Sequence, residues 1–439
     1  MFIDFKPLRN TLFAIPASRR FGKVDSVGTA AIRVGGLSVH GHLGDQLTIT
    51  KSNSTRIDGE IIALEKSYVL LMPYGPSDGI AIGDLVELNH TNCVYPAETW
   101  VGRIIDAFGE ALDGRPLYRG EKSVPLRRPP PAAASRRSLG ARLNTSLAIF
   151  NTVLPIARGQ RIGVFAGSGV GKSSLLAEMA RGLDCDIVVI ALIGERGREL
   201  REFTERVLGA QGMKRAVVIA ATSDQSPLVK RRAAWMAMAV AEYFRDQGKH
   251  VLLLMDSITR FAEAHREVAL TAGEPPSLRA FPPSTANLIA SLTERAGPGP
   301  DGTGDITAIF SVLVAGSDME EPIADITRGV LDGHIILERE IAESGRFPAI
   351  DITRSVSRCL PESATHEENA VIVRVRKILG IYEKSAPMIL TGLYTKGSSE
   401  EVDEAISVHI KLEHFFARNA SEPINESFKL LTGILGRPE

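Results

Sequence analysis

The feature that most constrains this chain is the stretch Arg161–Arg181, RIGVFAGSGVGKSSLLAEMAR. It opens with an apolar run (Ile162, Val164, Phe165) suited to a buried strand. It then breaks into the glycine-rich loop Ala166-Gly167-Ser168-Gly169-Val170-Gly171-Lys172-Ser173 and closes with helix-forming residues from Ser174 to Ala180. Strand, glycine loop and helix in that order aim backbone N–H groups and the positive end of a helix dipole at one anion. Side chains at the glycine positions would obstruct that approach. Gly167, Ser168, Gly169, Val170, Gly171, Lys172, Ser173 and Ser174 are therefore expected to cradle phosphates. Lys172 would reach the outer phosphates, and the Ser173 hydroxyl would ligate Mg²⁺. The strict form of such a loop opens with Gly, where this chain has Ala166. The stretch predicts a nucleotide site.

At 439 residues the chain exceeds what one core holds, so two or three domains are expected. Its formal net charge of −1 offers no basic field for wrapping nucleic acid. Cys93, Cys185 and Cys359 lie far apart without C-x-x-C spacing, which fits a reducing compartment and suggests neither a disulfide framework nor a zinc site. The nine histidines form no H-E-x-x-H or similar metal spacing, and no Ser/His/Asp or Cys/His set stands out. No apolar run approaches the ~20 residues that cross a bilayer. The first residues lack a continuous signal-peptide core, so a cytoplasmic location is expected.

Residues 1–22 interleave Phe2, Ile3, Phe5, Leu8, Leu12 and Phe13 with Lys6, Arg9, Arg19 and Arg20. This arm reads either as a frayed end or as a docking or membrane-surface segment. From Gly22 to about Asn92, short alternating runs broken by glycine predict a small antiparallel β-barrel, a domain over residues 23–94. Without dense basic and aromatic interleaving, that barrel is expected to be a structural or assembly collar. Residues 98–115 read as a strand and turn with two glycine-centred bends. The proline-rich linker VPLRRPPPAAASRRSLG follows, with Arg127, Arg128, Arg136 and Arg137 expected as solvated charges.

Beyond Arg161 strands and helices alternate. Strands are expected at Cys185–Ile193, Ala216–Ala221, Val251–Met255 and Ile306–Ala315, and helices at Gly197–Gln211 and Pro227–Gln247. Such repetition predicts an α/β domain over residues 95–365, a mostly parallel sheet with helices on both faces and ligands at the carboxyl ends of its strands. Residues 366–439 read as a smaller helical domain. The carboxylate-rich segment Leu337–Arg346 reads as solvated.

Two carboxylates complete the chemistry. Leu252, Leu253, Leu254 and Met255 lead into Asp256, placed at a strand end to hold hydrated Mg²⁺. Glu195, in IGERGRE, directly follows the strand Cys185–Ile193 and is the candidate to position and polarise an attacking water. Arg196 beside it could pair with phosphate or with Glu195.

The stretch Pro348–Ser357, PAIDITRSVS, joined to AGSGVGKS, GERGRE and LLLMDSITR, resembles the rotary-type ATPase family: the F1/V1 catalytic and non-catalytic subunits and their type III export relatives. The resemblance spans most of residues 22–439. It is strongest to the export ATPases, above all the flagellum-specific ones, through Ser173 after the lysine, GQRIGVFAGSGVGKSSLL, EPPS…PPSTANLIASLTERAG and a length near 440. It implies a RecA-like nucleotide domain, a homohexameric ring with sites between neighbours, ATP as substrate and Mg²⁺ as cofactor. In that scheme Lys172 and Ser173 hold phosphates and metal, Asp256 holds the metal's water shell, and Glu195 holds the attacking water.

By the same resemblance, Arg358 is an arginine finger that reaches into the neighbour's site, and Phe347 lies against adenine unless it is a plain core residue. The implied activity is Mg-dependent ATP hydrolysis that energises type III export of flagellar proteins, releasing chaperones and unfolding substrates at the basal body. The implied partners are export-apparatus regulator and stalk proteins, chaperone–substrate complexes and the membrane export gate at the cytoplasmic face of the inner membrane, with no nucleic acid. A chain holding both Glu195 and Arg358 would make a complete ring of identical subunits. Departures from the pattern are GARLNTSLAIFNT before the phosphate loop and LRAFPPSTANLIASL where a more basic run is expected. Three alternatives remain: the same machine in a virulence injectisome, an RNA-translocating ring opposed by the near-neutral charge, and a non-hydrolysing assembly subunit opposed by Glu195 with Lys172.

Overall fold

A computed structural model of the chain describes residues 18–89, 92–314, 318–420 and 422–436. Residues 1–17 of the expected arm lie outside the described residues. The chain divides into two units. One holds Met1–Asn92 with Gln225–Leu228 and Ala264–Pro276; the other holds Cys93–Asp224, Val229–Glu263 and Ser277–Glu439.

In the first unit, β1 (Phe21–Val27), β2 (Ile32–Gly35), β3 (Gln46–Thr50), β4 (Arg56–Leu64), β5 (Tyr68–Pro73) and β6 (Leu85–Asn89) close into an antiparallel barrel of order β1-β2-β5-β4-β3-β6. Alternation decides which side faces in: Val24, Ile32, Val34, Leu47, Ile49, Val69, Leu71 and Val86 form one interior core. Closure leaves no unpaired strand edge.

In the second unit, β7 (Cys93–Val94) pairs with β9 (Val124–Pro125), and the remaining strands build one large sheet. These are β8 (Arg103–Ile105), β10 (Arg161–Ala166), β11 (Ile187–Glu195), β12 (Ala216–Thr222), β13 (His250–Asp256), β14 (Gly297–Pro298), β15 (Asp305–Leu313), β16 (Gly333–Leu337) and β17 (Ile350–Ser357). The order is β17-β16-β10-β15-β13-β11-β12-β8, parallel from β16 to β8, with β17 antiparallel at one edge and β14 beside β15. The expected run of buried strands is present, and β13 is buried from end to end. The strand foreseen upstream of the linker is β8, and it extends this sheet.

The helices are α1 (Ala148–Asn151), α2 (Lys172–Gly182), α3 (Gly197–Glu202), α4 (Gly209–Met213), α5 (Pro227–Arg245), α6 (Ile258–Thr271), α7 (Ser284–Thr293), α8 (Pro322–Val330), α9 (Arg339–Glu343), α10 (His366–Leu390), α11 (Glu400–Phe416) and α12 (Ile424–Leu435). The single helix expected at Gly197–Gln211 is instead α3, a π-helical turn over Phe203–Leu208, and α4. Gly209, at φ +67°, breaks the ladder there. Helix α10 starts at a capping box in which Thr365 and Glu368 satisfy each other's backbone N–H groups. Val375, Leu412 and Leu431 of the last three helices share one core with Phe150, Leu176 and Val188.

The linker arginines are not simply solvated: Arg128 and Arg136 are half-buried, and Arg127 and Arg137, though exposed, are fastened to the body of the unit. Arg127 stacks 3.9 Å over the Trp235 ring, Arg128 pairs with Asp246 at 3.0 Å, Arg136 with Glu294 at 3.3 Å and Arg137 with Asp305 at 2.6 Å. A proline-rich segment has few backbone donors, so its side chains fasten it. The carboxylates that receive them are more than a hundred residues away in sequence, beyond the reach of local pattern. The segment Leu337–Arg346 is also only partly solvated: α9 is exposed, but Arg346 is buried.

Candidate active site

Strand β10 ends at Ala166, and the loop turns through Gly169 (φ +80°) and Gly171 (φ +87°), a backbone that L side chains rarely adopt. Val170 is buried in the core, so only its backbone can face a ligand, while Ser168 and Gly169 are exposed. Lys172 and Ser173 open α2 directly after this turn. Since β10, β15, β13 and β11 are successive neighbours, their carboxyl ends bring Lys172, Ser311, Asp256 and Glu195 to one edge.

Asp256 is buried, accepts from Lys172 Nζ, and accepts from Ser311 Oγ at 2.7 Å. Glu195 is half-buried; burial, a hydrogen bond shared with Glu199 and the charge of Asp256 push its carboxyl up to about 7, against the pull of Lys172. A cavity of about 240 Å³ opens here, lined by Ser173, Ser174, Glu195, Glu199, Phe203 and Asp256 among others. Its oxygen donors, a hydroxyl and carboxylates, suit a hard cation.

Arg196 is solvent-exposed, and its nearest carboxylate is that of Glu199 at 3.7 Å, not Glu195. Phe347 is 50% exposed, which excludes a plain core position. A Cβ built at Gly171 would lie 3.2 Å from its ring carbons, so the ring rests on the phosphate loop. Arg358 lies elsewhere. Its backbone N–H donates to Asp332 O and its guanidinium to Leu331 O, both at 3.0 Å, at the amino end of β16. Because β16 pairs with β10 so that Leu337 lies beside Ala166, Arg358 is about 16 Å of strand away from the start of its own phosphate loop.

Residues 146–357 match the nucleotide-binding domain of the ATP synthase alpha/beta family, and residues 364–431 match the T3SS EscN ATPase C-terminal domain. The chain is 44% identical to the flagellum-specific ATP synthase of Caulobacter vibrioides, over 94% of this chain and 96% of that one. It belongs to the type III export ATPases. The type 3 secretion system ATPase of Xanthomonas euvesicatoria is 38% identical over 97% of both chains. The assembled ATPase EscN of the enteropathogenic E. coli type III secretion system superposes with a TM-score of 0.87 at 35% identity, over 94% of this chain and all of that one. EscN in complex with its central stalk EscO gives 0.84 at 34% identity, with the same coverage.

This export ATPase has the expected barrel, parallel-sheet nucleotide domain and terminal helices, and it is an ATPase of type III export. Two groups at the site escaped sequence reasoning. Ser311 is one of two buried hydroxyls in the largely apolar strand β15, with Thr307, and is the one nearer its carboxyl end, a detectable oddity. Glu199 lies one helical turn after Glu195, a spacing that gains meaning only once α3 is known to begin between them.

Proposed function

We propose that the chain hydrolyses ATP as a homohexameric ring in which Arg358 of one copy completes the site of its neighbour. The observation that carries this reading is the placement of Arg358 at the sheet end opposite its own phosphate loop. An exposed arginine there is out of reach of the phosphates in its own chain, yet free to face another copy. Lys172 and the loop N–H groups bind the phosphates, and Glu195 orients the attacking water. Its raised affinity for a proton suits it to accept one as the water attacks. Ser173 and, through water, Asp256 would hold Mg²⁺, whose charge neutralises the phosphate oxygens. Among the described residues no cluster of three His, Cys, Asp or Glu could cage a metal alone, which fits an ion that arrives with phosphate and water ligands. Arg196, exposed at the rim, meets phosphate only when nucleotide enters. Phe347 stacks on the adenine ring.

The role proposed is flagellar export, releasing chaperones and unfolding substrates. The flagellum-specific relatives from Caulobacter and Bacillus subtilis, at 44% and 42% identity, stand above the Xanthomonas secretion ATPase at 38%. A stalk protein would seat in the ring, as EscO does on EscN. A regulator, chaperone–substrate complexes and the membrane export gate complete the partners, at the cytoplasmic face of the inner membrane. Among the described residues no helix is long and apolar enough to cross a membrane. Two experiments test the reading. Deletion of the gene should abolish swimming and leave effector secretion intact. Purified Arg358→Ala should bind ATP yet lose turnover by ~10³-fold; retained turnover would refute the ring site.

A further inference from the structure

The ring of Phe347 touches the phosphate loop on one side and is open on the other, so its orientation depends on the backbone that carries it. That backbone is wrapped around the preceding side chain. Arg346 is 9% exposed; its guanidinium donates to Pro348 O at 3.3 Å and to Ile350 O at 2.8 Å, gathering the residues on the far side of Phe347. Its backbone N–H donates to Ile341 O at 3.3 Å.

The third contact leaves the strand. Arg346 Nε lies 2.6 Å from Glu413 Oε2, off the N–H direction, so the two meet as charges and not as an aligned hydrogen bond. Glu413 is on α11. There His409, one turn earlier, stacks on Tyr382 of α10 with ring centroids 3.6 Å apart, and Leu412 and Phe416 are fully buried. A packed helix pair thus ends in a carboxylate that grips the arginine next to the exposed ring.

We infer that Arg346 is a positioning residue for the base-facing ring of Phe347, and that its pairing with Glu413 makes the C-terminal helices part of that placement. The inference rests on the proposed stacking of Phe347 on adenine. It deepens that reading: displacement of α11 is felt chiefly at the base of the nucleotide, through the ring of Phe347, and far less at its phosphates, which that ring approaches only at Gly171. A partner that shifts α11 therefore changes ATP affinity, and ATP binding resists the shift equally.

The test uses the full chain and measures KM for ATP, kcat, and the inhibition constant of inorganic tripolyphosphate, which has no base to stack. Phe347→Ala sets the reference and should raise KM about tenfold, the scale of a lost aromatic–base stack. Arg346→Met should raise KM about three- to tenfold, change kcat less than twofold and leave tripolyphosphate inhibition unchanged. In the Phe347→Ala background it should add nothing to KM. Glu413→Gln, which keeps the buried arginine and its carbonyl partners, should follow the same pattern more weakly, and it carries the test if Arg346→Met does not fold. A Phe347→Trp reporter quenched by ATP should lose part of that quenching on Glu413→Gln. Weakening of ATP and tripolyphosphate in parallel in Arg346→Met would overturn the inference, and so would an unchanged KM while Phe347→Ala is impaired. An unchanged KM in Phe347→Ala itself would overturn the stacking reading and the inference together.

Discussion

Glu242 is the most exacting place to perturb this fold. It is 0% exposed on α5 and accepts two hydrogen bonds from the 3%-exposed Arg295, at 2.9 and 2.7 Å. Arg128 approaches the same carboxylate at 3.6 Å, and Arg295 donates onward to Leu126 O at 2.7 Å. Arg245, equally buried, has Asp246 as its own partner. Three guanidinium groups are therefore balanced by two carboxylates. Glu242→Gln leaves one carboxylate and turns an N–H₂ group toward the buried donors of Arg295. Removing one partner of a buried pair costs about 3–5 kcal/mol, because the remaining charge stays buried without compensation. In a unit of about 330 residues that corresponds to a fall in melting temperature of roughly 4–7 °C. The assay is thermal unfolding followed by circular dichroism, with limited trypsinolysis at the Arg127–Arg128 bond as a second readout, since the same network ties down the linker. Glu242→Met with Arg295→Met should recover much of the loss by removing both charges. Melting of Glu242→Gln within 2 °C of wild type, on the scale of an exposed pair, would refute the reasoning.

Three further outcomes are expected. Burial holds the His250 imidazole down from 6.5 to about 4, and its Nε2 lies 2.8 Å from Thr307 Oγ1. The folded state is thus favoured fully above pH 6.5 and loses that advantage as pH falls toward 4, because only the unfolded chain takes up the proton; wild type should lose about 1.6 kcal/mol more than His250→Gln between pH 6.5 and 5 in urea titrations. Ser311→Ala removes a 2.7 Å hydrogen bond from Asp256 and should lower kcat about fivefold, the effect of roughly 1 kcal/mol, with the melting temperature nearly unchanged. Gly171→Ala places a methyl group at φ +87° and 3.2 Å from Phe347, so ATP binding measured by calorimetry should weaken by tenfold or more while the barrel is untouched.

The parts of this molecule that were legible in the sequence are those whose cause is local. The phosphate loop announces itself because glycine freedom, a lysine and two flanking elements fall within twenty-one consecutive residues, Arg161–Arg181. The barrel shows as short alternating runs, and Asp256 as a carboxylate closing an apolar strand. What stayed hidden depends on strand order. Ser311 meets Asp256 only because β15 lies next to β13, and Arg358 is remote from Lys172 only because β17 runs against β16. Of the linker arginines, Arg128 and Arg136 were misjudged because Asp246 and Glu294 lie far along the chain, while Arg127 and Arg137 are exposed but held by Trp235 and Asp305. Arg196 was offered Glu195 as a partner, whereas the start of α3 turns it toward Glu199.

The claim that each site is shared between copies is tested most directly by mixing two inactive variants. Glu195→Gln keeps Arg358 but cannot direct the water; Arg358→Ala keeps Glu195 but cannot serve a neighbour. Each alone should show no turnover above background. In an equal mixture allowed to reassemble, about a quarter of the interfaces pair an intact Glu195 with an intact Arg358, so turnover should return to about that fraction of wild type. A mixture that stays inactive while both variants bind ATP and assemble, or an Arg358→Ala protein that turns over unaided, would contradict the shared site.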